Sequence, residues 1–94
     1  MTDTITRDAL DLSPFTVDAL ARFALREASL TGNARIYATP YLQALTCCES
    51  LGDRYGMDRA SDMARYALSN LSAWRGPIAK AWKAEMNARL KGLI

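Results

Sequence analysis

Two adjacent cysteines, Cys47 and Cys48, and two carboxylate pairs, Glu49 with Asp53 and Asp58 with Asp62, are the side chains in this sequence whose spacing suits chemistry. A thiolate can act as a nucleophile or a soft metal ligand. Two carboxylates one helical turn apart can divide acid and base roles. Each group also has a plainer role. No base or cation lies within a helical turn of Cys47 to lower its pKa. Helical neighbours diverge by about 100°, which is wrong for a disulfide. Two cysteines without any histidine fall short of the usual structural zinc set. The expected state is two reduced cysteines, with Cys48 in the core. Asp58 suits a helix N-cap, and Asp62, Glu49 and Asp53 suit solvated faces. The lack of histidine removes the commonest general base, and there is no P-loop, dinucleotide-binding glycine turn or nucleophile elbow. The chain reads as non-enzymatic, with no catalytic residues, cofactor or metal.

The elements that would position these groups follow from punctuation and periodicity. The 94 residues suffice for one domain, and a 50% hydrophobic, 23% charged composition suits a folded core rather than disorder. Apolar residues recur at helical spacing and nothing alternates over a strand's length, so the expected fold is all-α, a compact bundle of about four helices with no sheet. Residues 1–12 form an acidic arm, expected to be flexible, ahead of a helical domain at 13–94. The first helix spans about 14–30, capped by Ser13-Pro14, with Val17, Leu20, Ala21, Ala24 and Ala28 on one face. The second is placed at 40–55, from Thr39-Pro40 to Gly56, with Tyr41, Ala44, Leu45, Cys48, Leu51 and Tyr55 inward and Leu42 off that face. Residues 34–38 suit either a loop or an extra helical turn. The third helix, about 59–74, buries Ala60, Met63, Ala64, Ala67, Leu71 and Trp74. The fourth, about 77–93, carries Ile78, Trp82, Met86, Leu90 and Leu93 on its apolar stripe.

The segment Leu51-Gly52-Asp53-Arg54-Tyr55-Gly56-Met57-Asp58-Arg59-Ala60-Ser61 resembles the turn of bacterial helix-turn-helix repressors, through the four-residue spacing of Gly52 and Gly56. The resemblance covers about a fifth of the chain. It implies a recognition helix within 51–68, with Arg59, Ser61, Asp62 and Arg65 near the groove. The sequence departs from the pattern at Asp62 and Arg65, where the repressors bury apolar residues.

Charge is unevenly distributed. Residues 1–18 hold four aspartates against Arg7, and residues 73–94 hold five cations against Glu85. Arg75, Lys80, Lys83, Arg89 and Lys91 therefore form a basic C-terminal stripe, a candidate nucleic-acid contact. The net charge is only +2. No window is apolar enough to span a membrane and the N-terminus lacks a signal core, so the expected compartment is the cytoplasm.

With chemistry set aside, the surface carries the function. Tyr, Trp, Met and Arg are favoured at interfaces, and the chain has four Tyr, four Met, two Trp and nine Arg. The expected role is a protein-binding module that inhibits or adapts a larger complex. Phage or mobile-element inhibitors of host systems, of the anti-CRISPR kind, are one such class. Partner contacts are assigned to Tyr66, Arg59, Arg65, Leu42 and Tyr37, away from the expected core faces. The alternative is a small DNA-binding protein using the degenerate helix-turn-helix or the basic C-terminal helix. A Tyr37–Leu42 strip would also suit a two-fold dimer, so monomer and homodimer both stay open.

Overall fold

A computed structural model of the chain describes residues 11–28 and 32–92. The element order is α1 (Val17–Glu27), α2 (Gly32–Leu45), β1 (Arg54–Tyr55), β2 (Asp58–Arg59), α3 (Ala60–Ser69) and α4 (Pro77–Gly92). The fold is mostly helical, as expected. The two strands pair antiparallel, Arg54 opposite Arg59 and Tyr55 opposite Asp58, so the expectation of no sheet is corrected to a single two-stranded ribbon.

At the start, Asp11 accepts hydrogen bonds from the Ser13 amide (3.1 Å) and hydroxyl (2.7 Å). This side-chain-closed turn occupies the residues expected to open the first helix, which begins at Val17 instead. Leu12, the last residue of the expected acidic arm, is buried in the core. Residues 1–10 of that arm lie outside the described residues, as do residues 29–31 and 93–94. The face Val17, Leu20, Ala21, Ala24 and Ala28 is buried as its period requires.

The second helix differs most from expectation. It runs Gly32–Leu45, with residues 34–38 helical and Pro40 inside it rather than at its start. Proline within a helix removes one ladder hydrogen bond. Starting the helix at Gly32 puts Ala38, Leu42 and Leu45 at i, i+4 and i+7, and all three are buried. Leu42, assigned to the surface, is 0% exposed and belongs to the core. The helix ends in tightening turns: Thr46 N–H reaches the Gln43 carbonyl, Cys47 that of Ala44 and Cys48 that of Leu45. Cys48 and Leu51 then enter the core from this loop.

The loop is held by Asp53, whose carboxylate accepts from the amides of Glu49 (2.8 Å) and Ser50 (3.2 Å). These bonds favour the charged form, so the backbone N–H of Glu49, then that of Ser50, hold Asp53 below its ordinary 3.8. A carboxylate lowered on folding stabilises the fold above its unfolded pKa and loses that contribution as the pH falls through the folded value. The thermal midpoint should therefore drop on acidification below 3.8. Asp53→Asn should start from a lower midpoint at neutral pH and show a shallower decline, the two curves converging in acid.

The ribbon follows. Gly56, at φ +63°, is the first residue of a two-residue turn and Met57 the second. Glycine at the first turn position with positive φ matches the twist a short hairpin needs. Ala60 N–H bonds the Asp53 carbonyl (2.8 Å), extending the pairing into α3. Arg59, not Asp58, is therefore the N-cap residue of α3. The buried face of α3 is the expected one, continued by Leu71 and Trp74 in turns beyond its end at Ser69.

Pro77 opens α4, preceded by Gly76 at φ +109°. Ala79, Trp82, Met86 and Arg89 are its buried residues. Helix α2 packs most extensively on α3 and next on α1. Helix α4 is tied to α1 by the Trp82 indole N–H, which donates to the Leu20 carbonyl (2.7 Å). Among the described residues no helix is long and apolar enough to cross a membrane.

Candidate functional site

The tyrosines assemble the most distinctive surface. Tyr37 and Tyr41 lie one turn apart on α2 and share a face. Tyr66 projects from α3, its ring centroid 5.2 Å from that of Tyr41 at a tilt of 38°. Tyr41 is half-buried, whereas Tyr37 is 56% and Tyr66 54% exposed. Aromatic pairs at this spacing are mutually favourable and limit each other's rotation. Two partner residues expected from the sequence, Tyr37 and Tyr66, thus flank a third tyrosine, Tyr41, which packs against the core as its helical position predicts. Ile36 is exposed beside them.

The other expected contacts separate. Leu42 is interior. Arg65 is exposed but engaged with Asp62 at 3.2 Å. Arg59 sits on the ribbon, directly opposite Arg54, and among the described residues neither has a carboxylate partner. Like charges in that register repel.

The ribbon also presents residues the sequence reading missed. Met57 at its tip is 93% exposed, and Tyr55, expected on a core face, is exposed. The signal was a glycine-first two-residue turn between Arg-Tyr and Asp-Arg, too short for strand alternation to register. Because residues 46–59 form turns and this ribbon, the helix–turn–helix spacing expected over 51–68 is absent; α3 is preceded by a hairpin instead.

The basic stripe is also redistributed. Arg89 is 7% exposed: its Nε donates to Glu85 (2.7 Å) and a terminal nitrogen to the Ser13 carbonyl (3.1 Å). It is a buried tie, not a surface cation. Lys91 borders a shallow depression with Arg65, Leu68 and Asn87. Arg75, Lys80 and Lys83 gather at the start of α4 around a separate concavity of about 430 Å³. Lys83 donates to the Trp74 carbonyl at 2.6 Å. Burial, then the nearby Arg75 charge, push its pKa below the ordinary lysine value.

A larger groove of about 510 Å³ lies between α1 and α4, lined by Leu12, Phe15, Phe23 and Ile78. Its rim cations are occupied: Arg22 pairs with Asp18, and Arg26 pairs with Glu27 and lies over the Phe23 ring at 5.7 Å.

Chemistry in the interior is sparse. Cys48 is buried and its thiol is pushed up, chiefly by burial and next by the Asp53 charge, which disfavours the reactive thiolate. Cys47 is exposed. Among the described residues no three Cys, Asp or Glu side chains gather as a metal site. The chain matches no protein-family model, no curated protein and no solved structure at a significant level.

Proposed function

We propose that this chain is a non-enzymatic protein-binding module that inhibits or adapts a larger complex, with Tyr37, Tyr41 and Tyr66 at the centre of the contact. The observation that carries the reading is the pairing of Tyr66 with Tyr41 beside the exposed Tyr37. Tyrosine offers large contact area at low conformational cost, and rings already held by a neighbour lose less freedom on binding. Arg59 and Arg65 would then supply peripheral charge, which steers association more than it sets affinity. Host-directed inhibitors carried by phages or mobile elements are one setting for such a module.

The test is affinity capture from host lysate at about 150 mM and about 500 mM salt, with nuclease, concentrations that bracket strong and weak phosphate contacts. A stoichiometric protein should survive both conditions. Tyr37→Ala with Tyr66→Ala should weaken its binding by about 30-fold or more, the scale of an interface hot spot. Because both rings are largely exposed, the fold should lose no more than about 1.5 kcal/mol, the scale of an aromatic pair. Undiminished capture by the double variant would refute the assignment.

A second reading, a small DNA-binding protein, draws on Arg75, Lys80, Lys83 and Lys91, which among the described residues have no carboxylate partner. Nucleic acid recovered alone, and lost at high salt, would favour it over the protein-binding reading.

A further inference from the structure

We propose that the concavity lined by Arg75, Lys80 and Lys83 is a binding site for a single phosphate group, as free phosphate or as the terminal monoester of a larger molecule. The site is distinct from the tyrosine surface and does not rest on that reading.

The argument starts from charge. Six residues line the concavity, Trp74, Arg75, Gly76, Ala79, Lys80 and Lys83; three are cations and none is acidic. Arg22, Arg26, Arg65 and Arg89 each have a carboxylate within ion-pair distance, whereas Arg35, Arg54, Arg59 and Lys91 have none among the described residues but do not gather around one hollow with other cations alone. The three lining this concavity also have none among the described residues. Three uncompensated like charges around one hollow repel one another, and an anion placed among them reverses the sign of that interaction. Burial first, and the neighbouring Arg75 charge second, lower the pKa of Lys83.

Placement is defined as well as charge. Lys80 and Lys83 are three residues apart on α4, so they project from neighbouring positions of one surface. Lys83, one of the lining residues, is anchored by the Trp74 carbonyl, which limits the movement of its ammonium. A guanidinium fork with two ammonium groups suits a compact oxyanion carrying more than one charge.

The shape of the ligand follows from what the surroundings lack. A single strand is usually held by bases stacked on exposed aromatic rings along a basic track. Here Trp82 is fully buried, and Trp74, which lines the hollow, is only 8% exposed with its ring 5.5 Å from that of Trp82, so no open ring face is presented for a base to stack on. The track is broken too, because Arg89 is committed to Glu85 and Ser13, and Lys91 borders a different depression. A short, doubly charged group fits this cluster better than a polymer backbone.

The experiment is an amide ¹H–¹⁵N titration of the full chain with sodium phosphate, ionic strength being held constant with sodium chloride. Saturable shifts are expected at Arg75, Gly76, Ala79, Lys80 and Lys83. Lys80→Gln should weaken the binding by about tenfold or more, the scale of one charge-assisted hydrogen bond. Lys80 is exposed and, among the described residues, its side chain makes no ion pair, so this variant keeps the fold. Arg75→Gln is the second test and should act alike. Absent or non-saturating shifts, or unchanged affinity in both variants, would overturn the proposal. A short oligonucleotide with and without a 5′-phosphate distinguishes the sources: only the phosphorylated form should displace phosphate. Equal displacement by both would overturn the single-group site in favour of backbone contacts.

Discussion

Trp82→Ala should lower the stability of the fold by about 3–5 kcal/mol, the range for deleting a large buried aromatic. Domains of this kind are stable by about 5–15 kcal/mol in total, so the variant should lose a large share of its stability. Trp82 is fully buried and is the largest such side chain. Its ring packs on Trp74, and its indole N–H donates to the Leu20 carbonyl 62 residues away. The substitution thus removes packing within the α4 end of the core and the bond joining α4 to α1. Trp82→Phe separates the two contributions. It keeps an aromatic ring and should cost less than Trp82→Ala, with about 1 kcal/mol of its loss due to the hydrogen bond. Urea unfolding followed by circular dichroism measures both. A Trp82→Ala protein within 1 kcal/mol of the parent would contradict the assignment of Trp82 as the link between α4 and α1.

The second large effect is expected at Arg89. Arg89→Met keeps much of the side chain's length but removes the charge that faces Glu85 and the donors to the Leu12 and Ser13 carbonyls. Removing one partner of a buried ion pair costs about 3–5 kcal/mol, because the other charge is left without compensation. Glu85 is only partly exposed, so solvent offsets a share of this, and the lower end of the range is expected. Adding Glu85→Leu should recover part of the loss, as replacing both members of such a pair by apolar groups often does. Hydrogen exchange adds a local readout: the Phe15 amide, bonded to Leu12, should lose protection in Arg89→Met beyond the global change. Equal stability of the single and double variants would show that the Arg89–Glu85 charge pairing contributes nothing.

These two residues also show how far local pattern carried the reading. The faces of α3 and α4 were legible because Met63, Ala67, Leu71, Ile78, Trp82 and Met86 keep a helical period, and Pro77 marks a first turn. Position 89 lies seven residues after Trp82 and three after Met86, in phase with the buried stripe, yet holds a charge. Its partners at Leu12 and Ser13 are 77 and 76 residues distant, beyond any windowed pattern. Leu42 falls off the inward face of a helix placed at 40–55, whereas in the helix Gly32–Leu45 the inward residues are Ala38, Leu42 and Leu45. The ribbon escaped because two-residue strands are too short to alternate. Of the candidate surface, Tyr37 and Tyr66 were legible as aromatics off the core faces. Their approach through Tyr41 was not, since it depends on how α2 and α3 pack.

The long-range ties of α4 bear on the order in which the molecule can form. Residues 12–20 are synthesised before α4, and two groups that bond their carbonyls, Trp82 and Arg89, emerge more than sixty residues later. A nascent chain ending before residue 82 lacks the indole that bonds Leu20 and the guanidinium that bonds Ser13. Contacts this distant in sequence slow folding relative to neighbouring-helix contacts, because the intervening loop must close first. The α2–α3 pair, joined through a hairpin, can form from its own residues, and α1 packs on α2, but the Leu20 and Ser13 carbonyls gain their α4 partners only with the last helix. The tie between α1 and α4 is therefore the part of the structure that a growing chain completes last.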